Sequence, residues 1–132
     1  MEVGYLALNN NKCLLIYGFD ITQQVILDKI LADFDSINYK TILKGMVNMK
    51  LKDILEDMKF EIYSSDLPEN EKVILFNNFS DEELNRMVVS LRSKFDNPPI
   101  LAVITTTSSE WTFKELILHL VKEREFLKQN NI

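Results

Sequence analysis

The sequence has few of the residues on which small catalytic and metal sites depend. Its 132 residues include one cysteine, Cys13, and one histidine, His119. A single cysteine excludes an internal disulfide, and together these two residues cannot supply the ligands of a structural zinc site. With three glycines the chain has no glycine-rich phosphate loop, and its carboxylates do not have the spacing of an EF-hand. We therefore expect no metal and no cofactor.

An excess of positive charge is also missing. Fifteen Lys and Arg residues stand against 20 Asp and Glu residues, so the net charge is −5, with −3 in residues 1–66 and −2 in residues 67–132. Proteins that bind nucleic acids neutralise phosphates with basic side chains, and anionic membranes attract basic segments. We expect neither a nucleic-acid nor a membrane partner.

Long apolar runs are absent as well. The longest cover about five residues, as in Ile100–Ile104, whereas a membrane span needs about 20. The first residues carry Glu2 and no basic segment, unlike a secretory signal. Cys13 lies within an apolar run, where a thiol is typically a buried, inert small hydrophobe. These features predict a soluble cytoplasmic protein.

The sequence does contain a pattern of apolar segments that occurs twice and alternates between strand and helix. Short apolar runs predict strands, and apolar residues at every third or fourth position predict helices. In the first half the pattern predicts a strand at 13–17, a helix at about 21–34, a strand at 39–43 and a helix marked by residues 51–58. In the second half it predicts a strand at 73–76, a helix marked by residues 84–95, a strand at 100–104 and a helix from 113 towards 128.

Local signals support these boundaries. Capping-box spacing occurs at three helix starts. It joins Asp20 to Gln23, Ser80 to Glu83, and Thr112 to Glu115. Short apolar segments at Val3–Leu8 and Phe60–Tyr63 are candidates for antiparallel edge strands, and residues 64–70 form the clearest linker.

The two halves align with each other. Lys12–Ile16 matches the segment 60 residues later, and Leu51–Met58 matches the segment 62 residues later. We interpret residues 1–66 and 67–132 as two related strand–helix–strand–helix repeats within one compact unit, although any two units of this layout share an apolar phase. The predicted fold is α/β, with the repeats sharing a mixed, mainly parallel sheet. The runs Leu14–Tyr17, Val73–Phe76 and Ile100–Ile104 are apolar without alternation, which predicts strands covered on both faces.

The second half carries a more specific combination of residues. Its features are a strand that ends in Asn and Phe, a helix with Glu-Leu, a strand that ends in Thr, and a Trp-Thr pair that opens the last helix. They are found at Val73–Ser80, Glu83-Leu84, Leu101–Thr105, Trp111-Thr112, Glu115-Leu116 and Glu123. Over roughly residues 72–126 the chain resembles a small bacterial family, the domain of unknown function 3783. This resemblance implies no activity.

The first half departs from the family pattern at its polar positions. Lys44, Met49 and Lys50 stand where the second half has Thr105, Trp111 and Thr112. If the first half is a diverged copy, it has lost these features.

Ligands of parallel α/β sheets bind beyond the carboxyl ends of the strands. In the second half, this rule selects five candidate ligand-binding residues. They are Asn77, Asn78, Thr105, Thr106 and Trp111. The alternative is that the polar residues form turns and caps and that Trp111 is a packing residue.

The last helix has an apolar band wider than one buried face requires. Leu118, Val121 and Phe126 are therefore candidate interface residues. The alternative is that the helix is wedged between the two halves of the core. His119 lies beside this band without a recognisable nucleophile motif, so we assign no catalytic residue.

Three hypotheses for the function follow. The first is a non-enzymatic interaction or regulatory module that forms a homodimer or binds a protein partner. The second is a small-molecule or anion-binding protein that uses the second-half loops. The third is an enzyme without a recognisable motif.

Overall fold

A computed structural model describes residues 12–35, 37–58 and 70–130. Helices and strands alternate along these residues, and two short 3₁₀ helices follow the second and fourth strands. In chain order the elements are β1 (Cys13–Tyr17), α1 (Ile21–Leu31), β2 (Asn38–Thr41), a 3₁₀ helix (Lys44–Met46), α2 (Leu51–Leu55), β3 (Val73–Asn77), α3 (Asp81–Lys94), β4 (Ile100–Val103), a second 3₁₀ helix (Ser108–Glu110) and α4 (Phe113–Asn130). The predicted α/β class is confirmed.

The described residues form two compact units, and each unit takes segments from both halves of the chain. The first contains the described residues up to Ile42 together with Asn70–Ile104. The second contains those from Leu43 to 58 and from Thr105 to 130. The predicted repeat boundary between residues 66 and 67 lies outside the described residues.

The first unit is built on a four-stranded mixed sheet with the order β2-β1-β3-β4. β2 is parallel to β1 and β4 is parallel to β3, while β1 and β3 run antiparallel at the centre. Leu15 lies opposite Leu75 in this central pair. All ten residues of β1 and β3 are buried, which explains why nine of them are apolar, Asn77 being the exception.

The helices α1 and α3 pack on one face of the sheet. Alternate residues of the central strands, such as Leu14 and Phe76, form a core with Leu27, Met87 and Leu91 of the helices. Two of the predicted capping boxes begin these helices. Gln23 N donates to Asp20 Oδ1 at 2.8 Å, and Glu83 N donates to Ser80 Oγ at 3.2 Å.

The second unit contains α2, α4 and both 3₁₀ helices. A reciprocal pair of backbone hydrogen bonds joins the segments before α2 and α4. Leu51 N donates to Trp111 O at 2.9 Å, and Phe113 N donates to Met49 O at 3.0 Å. The third predicted capping box forms at α4, where Thr112 N donates to a Glu115 carboxylate oxygen at 2.8 Å.

Several predicted boundaries differ from the structure for local reasons. The first helix ends at Leu31 rather than near 34, because Phe34 N donates to Leu31 O in a tighter turn. The second strand ends at Thr41 rather than at 43, because the chain turns into a 3₁₀ helix at Lys44. α2 ends at Leu55 because Asp57 adopts a left-handed conformation, with φ 62°.

Other strand predictions differ or fall outside the described residues. The sequence predicted that the strand at 100–104 is covered on both faces, but among the described strands β4 lies at the edge of the sheet, and Val103 is 48% exposed. An edge strand has one paired neighbour, so its side chains are less enclosed. The predicted strands at Val3–Leu8 and Phe60–Tyr63 lie outside the described residues.

Gly18 follows β1 in a conformation that only glycine adopts readily. Its φ is +84°, and an added Cβ would lie 2.1 Å from the carbonyl oxygen of Glu71. Gly18→Ala should therefore lower the free energy of unfolding by at least about 2 kcal/mol in urea denaturation. The exposed Thr22→Ala on α1 is the control and should change it little. Equal stability of Gly18→Ala and the native chain would contradict this account.

The first unit also holds an ion pair between distant residues. Lys12 Nζ lies 2.5 Å from Glu83 Oε2, and this hydrogen bond lowers the pKa of Glu83 below its ordinary 4.5. A lowered carboxyl pKa stabilises the folded state above the unfolded-state value, and this contribution disappears as the pH falls through the folded-state pKa.

Glu83→Gln tests this contribution and keeps the capping box, because Gln23 fills the same position at α1. The melting temperature of the variant should be a few degrees lower at pH 7 and equal to that of the native chain near pH 2. A difference of the same size at both pH values would show that the ion pair contributes nothing.

Candidate functional site

A compact polar turn, Thr105–Ser109, follows β4 and begins the segment of the second unit that starts at Thr105. Thr105 N donates to Ser108 Oγ at 2.9 Å, and Ser108 N donates to Thr105 Oγ1 at 3.0 Å. The two hydroxyl oxygens are 3.2 Å apart, and Ser109 N donates to Thr105 O at 2.9 Å. Hydroxyl side chains that bond to nearby backbone groups stabilise turns of this kind. Thr105 and Thr106 are both exposed, but the hydroxyl of Thr105 is engaged within the turn, whereas that of Thr106 makes no hydrogen bond within the described residues.

Trp111 is half-buried and has two structural contacts. Its carbonyl oxygen accepts the hydrogen bond from Leu51 that begins α2. Its ring meets the ring of His119 edge to face, with the ring centroids 5.5 Å apart and an interplanar angle of 77°. Aromatic pairs favour this arrangement. The position of Trp111 is thus fixed by packing within the second unit.

His119 lies on the exposed side of α4. Within the described part of the chain its ring meets that of Trp111 edge to face, and it makes no hydrogen bond to a nucleophile or carboxylate. A general base needs a proton donor within hydrogen-bond reach. This geometry supports a packing role for His119.

Asn77 and Asn78 lie in the first unit, at the end of β3. Asn77 is buried, with 7% of its surface exposed. Asn78 is exposed and left-handed, with φ 65°, a conformation that asparagine tolerates better than most residues. The five candidate ligand-binding residues are thus divided between the two units. Thr105 and Thr106 share one turn, and Trp111 lies close to His119.

A charged cluster in the second unit was not predicted from the sequence. Glu110 lies between two lysines, with Oε2 3.1 Å from Lys52 Nζ and Oε1 3.6 Å from Lys50 Nζ. The hydrogen bond from Lys52 lowers the pKa of the Glu110 carboxyl. No local pattern reveals this cluster, since its members are far apart in sequence. Exposed ion pairs contribute little stability.

No metal-binding arrangement is found within residues 12–35, 37–58 and 70–130, where no three His, Cys, Asp or Glu side chains form a suitable group. A search of the same residues for a helix that is both long and apolar enough to cross a bilayer found none.

α4 is the most exposed apolar element of the second unit. Its 18 residues extend about 27 Å, yet its buried residues all lie within the first five positions, at Phe113, Leu116 and Ile117. Beyond them, Leu118 is 43%, Phe126 61% and Leu127 57% exposed. We call Phe126 and its neighbour Leu127 the α4 apolar patch; Leu118 is exposed about two turns earlier, on another side of the helix.

The predicted interface residues have different environments on this helix. Leu118 and Phe126 are exposed, whereas Val121 is half-buried. Phe126 is seven residues after His119, so the two side chains lie on the same side of the helix, about two turns apart. Because the ring of His119 contacts that of Trp111 edge to face, the rings of Trp111, His119 and Phe126 follow one another along this side.

Comparisons with known proteins assign no activity. A family model described as a domain of unknown function, DUF3783, matches residues 72–127, which is less than half of the chain. Searches of curated proteins and of solved structures found no significant match. The resemblance of the second half to this family is therefore confirmed, and the family itself carries no assigned function.

The hydroxyl of Thr105 should be structural. Thr105→Val removes the acceptor for Ser108 N–H, and we expect the free energy of unfolding to fall by about 1 kcal/mol. The matched control is Thr106→Val, because the neighbouring hydroxyl is exposed and makes no described hydrogen bond. Urea denaturation of both variants measures the difference. If both are as stable as the native chain, the turn does not depend on this hydroxyl.

Proposed function

We propose that this chain is a non-enzymatic interaction module that binds another polypeptide through α4. The observation that carries the proposal is the α4 apolar patch, which leaves two large apolar side chains, Phe126 and Leu127, more than half exposed to water. Exposed apolar clusters on soluble proteins commonly mark binding surfaces.

The energetics of the patch support this role. Burying one Phe or Leu side chain contributes about 1.5–3 kcal/mol, so a partner that covers Phe126 and Leu127 gains several kcal/mol. If the end of α4 contacted only solvent, large apolar side chains at these two positions would contribute nothing to its stability. Aromatic side chains are enriched among the residues that dominate binding energy, and Trp111 and His119 lie on the same side of the helix as Phe126.

Among the described residues of the first half, no helix has an extension like that of α4. In the proposed repeat α2 corresponds to α4, but it has five residues against 18. Its buried residues Leu51, Ile54 and Leu55 make up most of the helix. The extension of α4 is therefore additional to what a short helix needs for packing, which favours a binding role.

The small-molecule alternative at the second-half loops has weaker support. It depends on polar groups that are available to a ligand, and the Thr105 hydroxyl bonds within its own turn. The observations on α4 favour the interaction module.

We also propose that the first half is a diverged copy of the second. The reciprocal hydrogen bonds around Met49 and Trp111 support this, because these residues are 62 positions apart, as are Leu51 and Phe113. Gly18 and Asn78, 60 residues apart, have similar left-handed conformations after their strands. Relatives whose first half also matches the family model would support the copy, and relatives that align over the first half without any such likeness would oppose it.

The interaction is tested with a charge placed in the patch. Phe126→Glu should weaken self-association or partner binding at least about tenfold, because it puts a carboxylate in an apolar contact. Analytical ultracentrifugation over a range of concentrations measures self-association against the 15.4 kDa monomer. Native mass spectrometry of protein purified gently from its host detects a second polypeptide.

Asn85→Glu is the matched control, because it adds the same charge at an exposed polar position outside α4; Gln129 is unsuitable, since residues three apart on a helix are neighbours and it lies beside Phe126. Asn85→Glu should leave the assembly unchanged. A native chain that remains monomeric at all concentrations and carries no partner would overturn the proposed function, as would equal effects of the two variants.

A further inference from the structure

The helices α1 and α3 pack against each other in the first unit and leave a cleft of about 300 Å³. Its lining comes from one side of each helix, since the residues follow helical spacing. They are Ile26, Lys29 and Ile30 of α1, Asp33 just after it, and Ser90 and Lys94 of α3. The volume lies at the lower end of the range for small-molecule sites.

The cleft has an apolar floor and a polar rim. Ile30 is buried and Ile26 is half-buried, whereas Lys29, Asp33 and Lys94 are exposed. Small-molecule sites combine an apolar lining with a few polar groups that orient the ligand. This lining fits a ligand with a short hydrocarbon part and one polar end.

The charges of the rim define that polar end. Lys29 and Lys94 make no ion pair within the described residues, although Asp33 lines the same cleft. Other lysines of this chain, such as Lys12 and Lys52, do pair with a carboxylate. Two lysines and one aspartate leave a surplus of one positive charge in a protein of net charge −5. A monoanion balances this surplus, whereas Asp33 would repel a second negative charge.

We propose that this cleft binds a small amphipathic carboxylate, with its hydrocarbon chain on Ile26 and Ile30 and its carboxylate between Lys29 and Lys94. This inference is independent of the proposed function, because the cleft and α4 belong to different units. An ammonium group is a suitable partner for a carboxylate because it supplies a compact charge and three donors. With so few ligand atoms the affinity is limited, and the dissociation constant should be roughly millimolar.

Sodium octanoate is the probe, and the full chain labelled with ¹⁵N is titrated by NMR. We expect saturable shifts of the amide signals of α1 and α3. The double variant Lys29→Gln/Lys94→Gln should bind octanoate at least about tenfold more weakly, while its unchanged melting temperature shows that it is folded. The control Lys44→Gln/Lys122→Gln removes the same charge from exposed positions outside the cleft and should bind as the native chain does.

Two further ligands test the parts of the assignment. Octanol lacks the carboxylate and should bind at least about tenfold more weakly than octanoate, whereas equal binding would overturn the role of the lysines. Octyl phosphate carries up to two negative charges, and tighter binding of it than of octanoate would overturn the monocarboxylate assignment. Absence of shifts in α1 and α3 with octanoate would overturn the site.

Discussion

The antiparallel pairing of β1 with β3 is the constraint on which the first unit depends. All ten residues of these strands are buried, so their backbone N–H and C=O groups cannot bond to bulk water. Each strand must therefore have a neighbour on both sides, and β2 and β4 fill the outer places. Parallel outer strands require crossover connections, which α1 and α3 supply. The helices then cover one face of the sheet and create the cleft between them.

The difference between local and long-range contacts explains which parts of this fold were predictable from the sequence. The three capping boxes and the starts of the helices depend on residues three apart, and all three form as expected. The order of the strands depends on which apolar run lies beside which, and β1, β3 and β4 have similar compositions. The edge position of β4 was therefore not predictable, and neither was the antiparallel centre of the sheet.

The same difference explains which features of the candidate sites were predictable: those within one segment of the chain were, and those formed by distant residues were not. The sequence identified the hydroxyls after β4, but not that Thr105 and Ser108 bond to each other's backbone. It identified the wide apolar band of α4, since that property belongs to one helix. The pairing of Glu110 with Lys50 and Lys52 and the cleft between α1 and α3 both need residues about 60 positions apart. No pattern within one segment reveals such sites.

The pairing of β1 with β3 also determines whether one half of the chain could form the sheet by itself. β1 comes from the first half and β3 from the second, so neither half closes the sheet by itself. A chain that held only the matched segment 72–127 would contain β3 and β4 but would leave one edge of β3 without a partner. An apolar strand with an open edge pairs with another chain or aggregates. The four described strands lie between Cys13 and Val103, so a part of the chain that keeps both buried strands paired on each side must include segments of both halves.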